Sequence, residues 1–168
     1  YRAYTVGAKD RENAIINVLR FFDAKTAIVF CATRATVNRM TSRFNNRGFS
    51  VVALSGELSQ GQRTHALQAI RDGRARVCIA TDVAARGIDL PNLDLVVHAD
   101  LPKNRDSLLH RSGRTGRAGR KGTTTLIVPH NARKRIERLF KSAKINANWS
   151  NPPTVHEISL RDDERILQ

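Results

Sequence analysis

His110-Arg111-Ser112-Gly113-Arg114-Thr115-Gly116-Arg117-Ala118-Gly119-Arg120 sets four arginines three positions apart, each of the last three preceded by a glycine. A guanidinium is permanently charged and presents a planar fork that matches phosphate oxygens. Glycine lets backbone come close because it has no Cβ. The strip is chemically suited to face phosphate. A basic, Gly-rich segment that coats RNA without folding would share this composition, so the flanking sequence has to separate the two readings.

Outward from the strip, short apolar runs alternate with amphipathic stretches. Strands are predicted at 26–30, 51–54, 76–80, 93–98 and 123–128, and helices at 10–22, 34–47, 59–71, 103–111 and 131–143. Ala27-Ile28-Val29-Phe30 and Leu95-Val96-Val97 are continuously apolar, as strands covered on both faces are. Gly48 and Gly73 fall where C-cap glycines belong, and Pro102 closes the strand before it. Alternation of this kind builds βαβ units, so the expected fold class is α/β, an open parallel sheet with helices on both faces. Ligands of such sheets gather at the carboxyl ends of the strands. Thr33-Arg34, Ser55-Gly56-Glu57, Thr81-Asp82 and the long segment 102–122 all follow predicted strands there.

The chain has 168 residues, 40% of them hydrophobic, enough for one self-sufficient core. A formal net charge of +14 and a pI near 11.1 point to a polyanionic partner, RNA or DNA. Aromatic residues make up only 5%, which argues against base stacking and for contact with the sugar-phosphate backbone. Cys31 and Cys78 lie inside apolar runs without zinc-ligand spacing, so both read as buried thiols of a protein from a reducing, cytoplasmic compartment. No apolar run reaches membrane-spanning length, no signal peptide opens the chain, and the missing initiator Met suggests a piece of something longer.

Two further motifs lie on the predicted strand ends. Ala80-Thr81-Asp82-Val83-Ala84-Ala85-Arg86-Gly87-Ile88-Asp89 combines small residues with a hydroxyl and two carboxylates, suited to phosphate and ribose; an ordinary strand-to-helix cap by Asp82 is the plain alternative. Gln60-Gly61-Gln62-Arg63 opens a helix after Ser59, a predicted N-cap, so its first N–H groups and Arg63 would favour an anion. A capped, solvated surface helix is again the plain alternative.

Together, in this order, the motifs resemble the C-terminal RecA-like lobe of the DEAD-box RNA helicases over about residues 1–145. His110 to Arg120 matches that family's motif VI, residues 81–89 its motif V, Gln60 and Arg63 its QxxR motif, and Val29-Phe30-Cys31-Ala32-Thr33 looks like motif IV. Ser112 departs from the family pattern, which usually has an apolar residue there. The resemblance implies a RecA-like, P-loop NTPase-type sheet without its own Walker A loop, and it implies roles for individual residues. Arg117 would be the arginine finger on ATP, with Arg114 beside it and His110 coupling nucleotide to the other lobe. Asp89 would hold the ribose, with Gly87 close to the nucleotide. Thr33, Arg34, Gln60, Arg63, Thr81 and Asp82 would line RNA, while Arg86, Arg111 and Arg120 would organise the cleft or the interdomain contact. No G-x-x-x-x-G-K-[ST] loop, Asp-Glu-Ala-Asp run or adenine-reading Gln motif occurs in the chain, and no metal site is expected in it. ATP and Mg²⁺ would be held mainly by an N-terminal RecA-like lobe. Two rival readings share these motifs: a non-catalytic RNA-binding or regulatory module, and a lobe of a DNA-directed superfamily-2 translocase.

The expected domain is 1–148, followed by a tail, 149–168. There Pro152-Pro153 breaks the chain, and Thr154 with Glu157 forms a capping-box pattern opening a helix to about Leu167. Its sparse apolar set would start a linker toward an accessory C-terminal region and, in this chain, dock on its own lobe or on a second copy.

Overall fold

The computed structural model describes residues 1–56, 58–86, 90, 93–113 and 122–167. Its centre is a seven-stranded sheet in which every pairing is parallel. The strands are β1 (Arg2–Val6), β2 (Ala27–Cys31), β3 (Val51–Leu54), β4 (Val77–Thr81), β5 (Leu95–His98), β6 (Thr123–Pro129) and β7 (Asn148–Ser150), in the spatial order β3-β4-β2-β5-β6-β1-β7. The helices are α1 (Arg11–Phe22), α2 (Arg34–Asn46), α3 (Gln60–Arg71), α4 (Asp82–Ala85), α5 (Arg105–Ser112), α6 (Arg133–Ser142) and α7 (Val155–Leu167).

Strand periodicity explains the layers. Successive side chains point to opposite faces, so Ala27, Val29 and Cys31 of β2, Val77 and Ile79 of β4 and Leu95 and Val97 of β5 meet α1 and α2 in one core. Ile28 and Phe30, Cys78 and Ala80, and Val96 pack beneath α3 and α4 on the other face. Leu126 and Val128 of β6 continue this second face beneath α5 and α6, joining Leu108, Ile136 and Phe140. Covered on both sides, the central strands carry no polar alternation. Cys31 and Cys78 are free and fully buried, and burial pushes both thiols up to about 12, so they behave as small apolar groups.

Helix ends follow local chemistry. α2 starts at Thr33, whose Oγ1 accepts Thr36 N–H at 3.2 Å; it is followed by Gly48 in the left-handed region at φ +91°. Five predicted strands and five predicted helices are present, every bound within two residues of its predicted place. Two strands were not predicted. β1 inserts between β6 and β7, and Trp149 of β7 packs edge-on against Phe140 with the Arg133 guanidinium 4.6 Å from its ring centre.

Thr154 and Glu157 close the expected capping box, Glu157 N–H donating to Thr154 Oγ1 at 3.1 Å and Thr154 N–H to Glu157 Oε1 at 3.3 Å. The helix that follows lies on α1. Ile158 is buried, Asn17 Nδ2 donates to the Pro153 carbonyl, Arg165 donates to the Phe21 carbonyl, and Arg161 sits 4.5 Å from the centre of the Phe21 ring.

Candidate functional site

Because all strands are parallel, their carboxyl ends share one edge, and the order β3-β4-β2-β5 lines up the loops that carry the predicted residues. Next to β3, α3 opens with Gln60 exposed in its first turn. Ser59 caps this helix through Gln62: Gln62 N–H donates to Ser59 Oγ at 3.2 Å and Ser59 N–H to Gln62 Oε1 at 3.0 Å. The capping box uses Gln62; Gln60 is exposed, and half-buried Arg63 has no ion pair among the described residues. At the end of β4, Thr81 is the cap of the short α4, accepting Ala84 N–H at 3.3 Å. The cap is therefore Thr81 rather than Asp82. After β2, Thr33 shares a 2.9 Å hydrogen bond with Thr36, and Arg34 beside it is exposed. Arg86 ends α4 with its side chain exposed.

Asp82 has another partner. Its two carboxylate oxygens accept a bidentate pair from Arg111, Nε to Oδ1 and Nη2 to Oδ2, both at 2.7 Å. Arg111 is only 4% exposed; its Nη1 also donates to the Asp100 carbonyl at 2.7 Å and faces His98 Nδ1 at 3.3 Å, and its Cζ lies 5.3 Å from the centre of the Phe30 ring. Nearly every donor of this arginine is spent inside the lobe, and the chain leaves α5 toward the rest of the strip from this anchored point. His110, next to it in sequence, faces solvent. Ser112 is buried, but its hydroxyl donates to the Leu108 carbonyl at 2.7 Å, so the polar side chain is satisfied within its own helix.

Three residues of this edge escaped sequence reasoning. Asp100, just after β5, accepts Arg11 Nη1 at 2.5 Å on Oδ1 and Ala32 N–H at 2.6 Å on Oδ2. Their separation along the chain leaves no local signature; the only available signal was Asp100 standing between a strand and Pro102. The third is His98, fully buried, whose Nε2 has no partner among the described residues. Burial first, and the Arg111 charge second, hold His98 well below its ordinary 6.5, so the ring is neutral, with Nδ1 accepting from Arg111 and the proton on Nε2.

A histidine buried neutral makes stability pH-dependent. The unfolded chain takes up a proton as pH falls through about 6.5 while the folded chain resists it, so stability is complete above that pH and declines below it by up to about 1.4 kcal/mol per pH unit. Urea melts at pH 7.5 and 5.5 are expected to separate by on the order of 1 kcal/mol more in the parent chain than in His98→Asn. Equal separations in the two proteins would rule out this ring as the titrating group.

Gly87, Asp89, Arg114, Arg117 and Arg120 lie outside the described residues. Thr33, Arg34, Gln60, Arg63, Thr81, Asp82, Arg86, His110 and Arg111 all stand on elements that meet at the carboxyl edge. Among the described residues no cluster of His, Cys, Asp or Glu could hold a metal ion, and no helix is long and apolar enough to cross a membrane.

A parallel sheet whose carboxyl edge carries Thr33, Gln60, Thr81 and Asp82, with Arg111 anchored beside them, defines a RecA-like helicase lobe. The helicase conserved C-terminal domain family matches residues 10–119, more than half of the chain. The chain belongs to that family, as the C-terminal RecA-like domain of a DEAD-box RNA helicase. It is 45% identical over 171 residues to the ATP-dependent rRNA helicase RRP3 of Vanderwaltozyma polyspora, covering 92% of this chain and 34% of that protein. It is 34% identical over 158 residues to the ATP-dependent RNA helicase DeaD of Buchnera aphidicola, covering 94% and 26%. The chain thus spans about a quarter to a third of the length of these curated relatives. Among solved structures, Escherichia coli DEAD-box protein SrmB bound to regulator of ribonuclease activity A superposes with a TM-score of 0.82 at 32% identity, over 93% of this chain and 91% of that one. Saccharomyces cerevisiae Dbp5 bound to RNA and ADP BeF3 gives a TM-score of 0.84 at 26% identity, over 99% of this chain and 45% of that one.

Proposed function

We propose that this lobe works with an N-terminal RecA-like lobe to hydrolyse ATP while gripping the backbone of one RNA strand, and that closure of the two lobes separates a short duplex. The supporting observation is the anchoring of Arg111 on Asp82 and Asp100, which starts the arginine strip from the edge that presents Thr33, Gln60, Arg63 and Thr81. On this reading Thr33, Arg34, Gln60, Arg63 and Thr81 contact RNA phosphate and ribose. Asp82 gives both carboxylate oxygens to Arg111 while its side chain stays 42% exposed, and its part is to hold Arg111. Arg117 and Arg114 neutralise charge developing on the transferred phosphoryl group, Asp89 and Gly87 receive the ribose, and exposed His110 contacts the facing lobe. Mg²⁺ bound with ATP supplies further charge neutralisation, and its ligands belong to the other lobe. The buried free thiols fit a reducing, cytoplasmic compartment.

Backbone recognition has a quantitative signature. Each neutralised phosphate of a single strand contributes about −0.7 to the slope of log K against log salt, so Arg63→Ala in the two-lobed protein is expected to flatten that slope by about 0.7 for every RNA sequence tested. RNA-stimulated ATP hydrolysis, with DNA of equal sequence as comparator, is measured alongside. Stimulation by DNA alone would favour a DNA translocase, absence of stimulated hydrolysis would favour a non-catalytic module, and sequence-dependent losses would mean base readout.

A further inference from the structure

We propose that Asp100 is a positioning residue that couples strand contact at Thr33 and Arg34 to the arginine segment beginning at Arg111. The inference rests on the function proposed above. One residue touches both parts: its carboxylate Oδ2 accepts the N–H of Ala32, immediately before Thr33, at 2.6 Å, and its own carbonyl accepts Arg111 Nη1 at 2.7 Å. Arg11 holds the other carboxylate oxygen at 2.5 Å, so the side chain cannot follow a moving loop while its backbone stays still. A shift of the loop after β2 is therefore passed to the peptide against which Arg111, and through it Asp82, is set.

A purely structural role explains these contacts less well. The ends of β2 and β5 are already joined by main-chain bonds, Ala99 N–H and Asp100 N–H both donating to the Phe30 carbonyl at 3.0 and 3.2 Å. The carboxylate adds nothing the strand pairing needs; what it adds is a charge-assisted hold on the first N–H beyond β2. The two segments it joins, the loop after β2 and the end of α5, serve separate tasks on the proposed function, RNA contact and phosphate contact.

The test uses the full-length protein, both lobes included, and measures the affinity of a fluorescent non-hydrolysable ATP analogue with and without a short oligouridylate. In the parent protein RNA is expected to tighten the analogue by a coupling factor on the order of 5 to 150. In Asp100→Ala that factor falls at least about fivefold toward unity, while affinity for the analogue without RNA stays within about twofold. Asp100→Asn keeps an oxygen acceptor for Ala32 and recovers part of the coupling. A parent-like coupling factor in Asp100→Ala overturns the proposal. If thermal melting shows that variant unfolded, Arg11→Gln, which releases one carboxylate oxygen, takes its place; reduced coupling there supports the proposal and unchanged coupling overturns it. A parent protein without any RNA–nucleotide coupling would remove the functional reading itself, a result distinct from coupling that survives the substitutions.

Discussion

Arg117→Ala in the two-lobed protein is expected to lower RNA-stimulated ATP hydrolysis by about 10³- to 10⁵-fold, which corresponds to roughly 4 to 7 kcal/mol of transition-state stabilisation. The size follows from where the charge acts. A guanidinium placed on a phosphoryl group in transit meets charge that exists only at the transition state, so its loss falls on turnover. RNA affinity should stay within a few-fold. Arg117→Lys should rescue little, because an ammonium cannot present the planar fork. A variant that turns over normally but has lost RNA affinity would place this arginine against the strand.

Purified residues 1–168 are expected to show no RNA-stimulated hydrolysis above background and only weak nucleotide affinity, a deficit as large as that expected of Arg117→Ala. The reason is chemical inventory: the sequence holds no phosphate-cradling G-x-x-x-x-G-K-[ST] loop, and positioning with metal coordination supplies most of the catalysis in phosphoryl transfer. Joining the matching N-terminal lobe in cis should restore turnover. Hydrolysis by the 168 residues alone at the rate of a complete helicase would refute the division of labour.

The central sheet was legible because its strands announce themselves. Ala27 to Cys31 and Leu95 to His98 are unbroken apolar runs, and the capping residues Thr33, Ser59 and Thr154 act within three positions of themselves. β1 and β7 were not legible. In β1 the apolar residues share their strand with Arg2 and Thr5, and β7 is three residues long with polar residues at both ends, so neither offers a period to read. Residue types at the edge were also legible, but their partners were not: that Asp82 would pair with Arg111 depends on how β4 and β5 flank β2, which no local pattern encodes. Asp100 and Arg11 went unread for the same reason.

The place of β1 has a consequence for how the chain acquires its shape. β2, β4, β3 and β5 pair with strands from the first hundred residues, so that half of the sheet can form while a ribosome is still at work. β1, made before the other six strands of this lobe, has as its neighbours among the described residues only β6 and β7, made after them. It must wait as an unpaired apolar segment with Ala3, Tyr4 and Val6 uncovered, and joining strands from opposite ends of a chain is slow because the intervening loop must close first. Such a waiting strand is a template for the wrong partner, including the same strand of a neighbouring nascent chain. Synthesis of this lobe therefore has a vulnerable interval that ends only when β6 and β7 emerge, and a chaperone acting on it would gain most by shielding Arg2–Val6 until then.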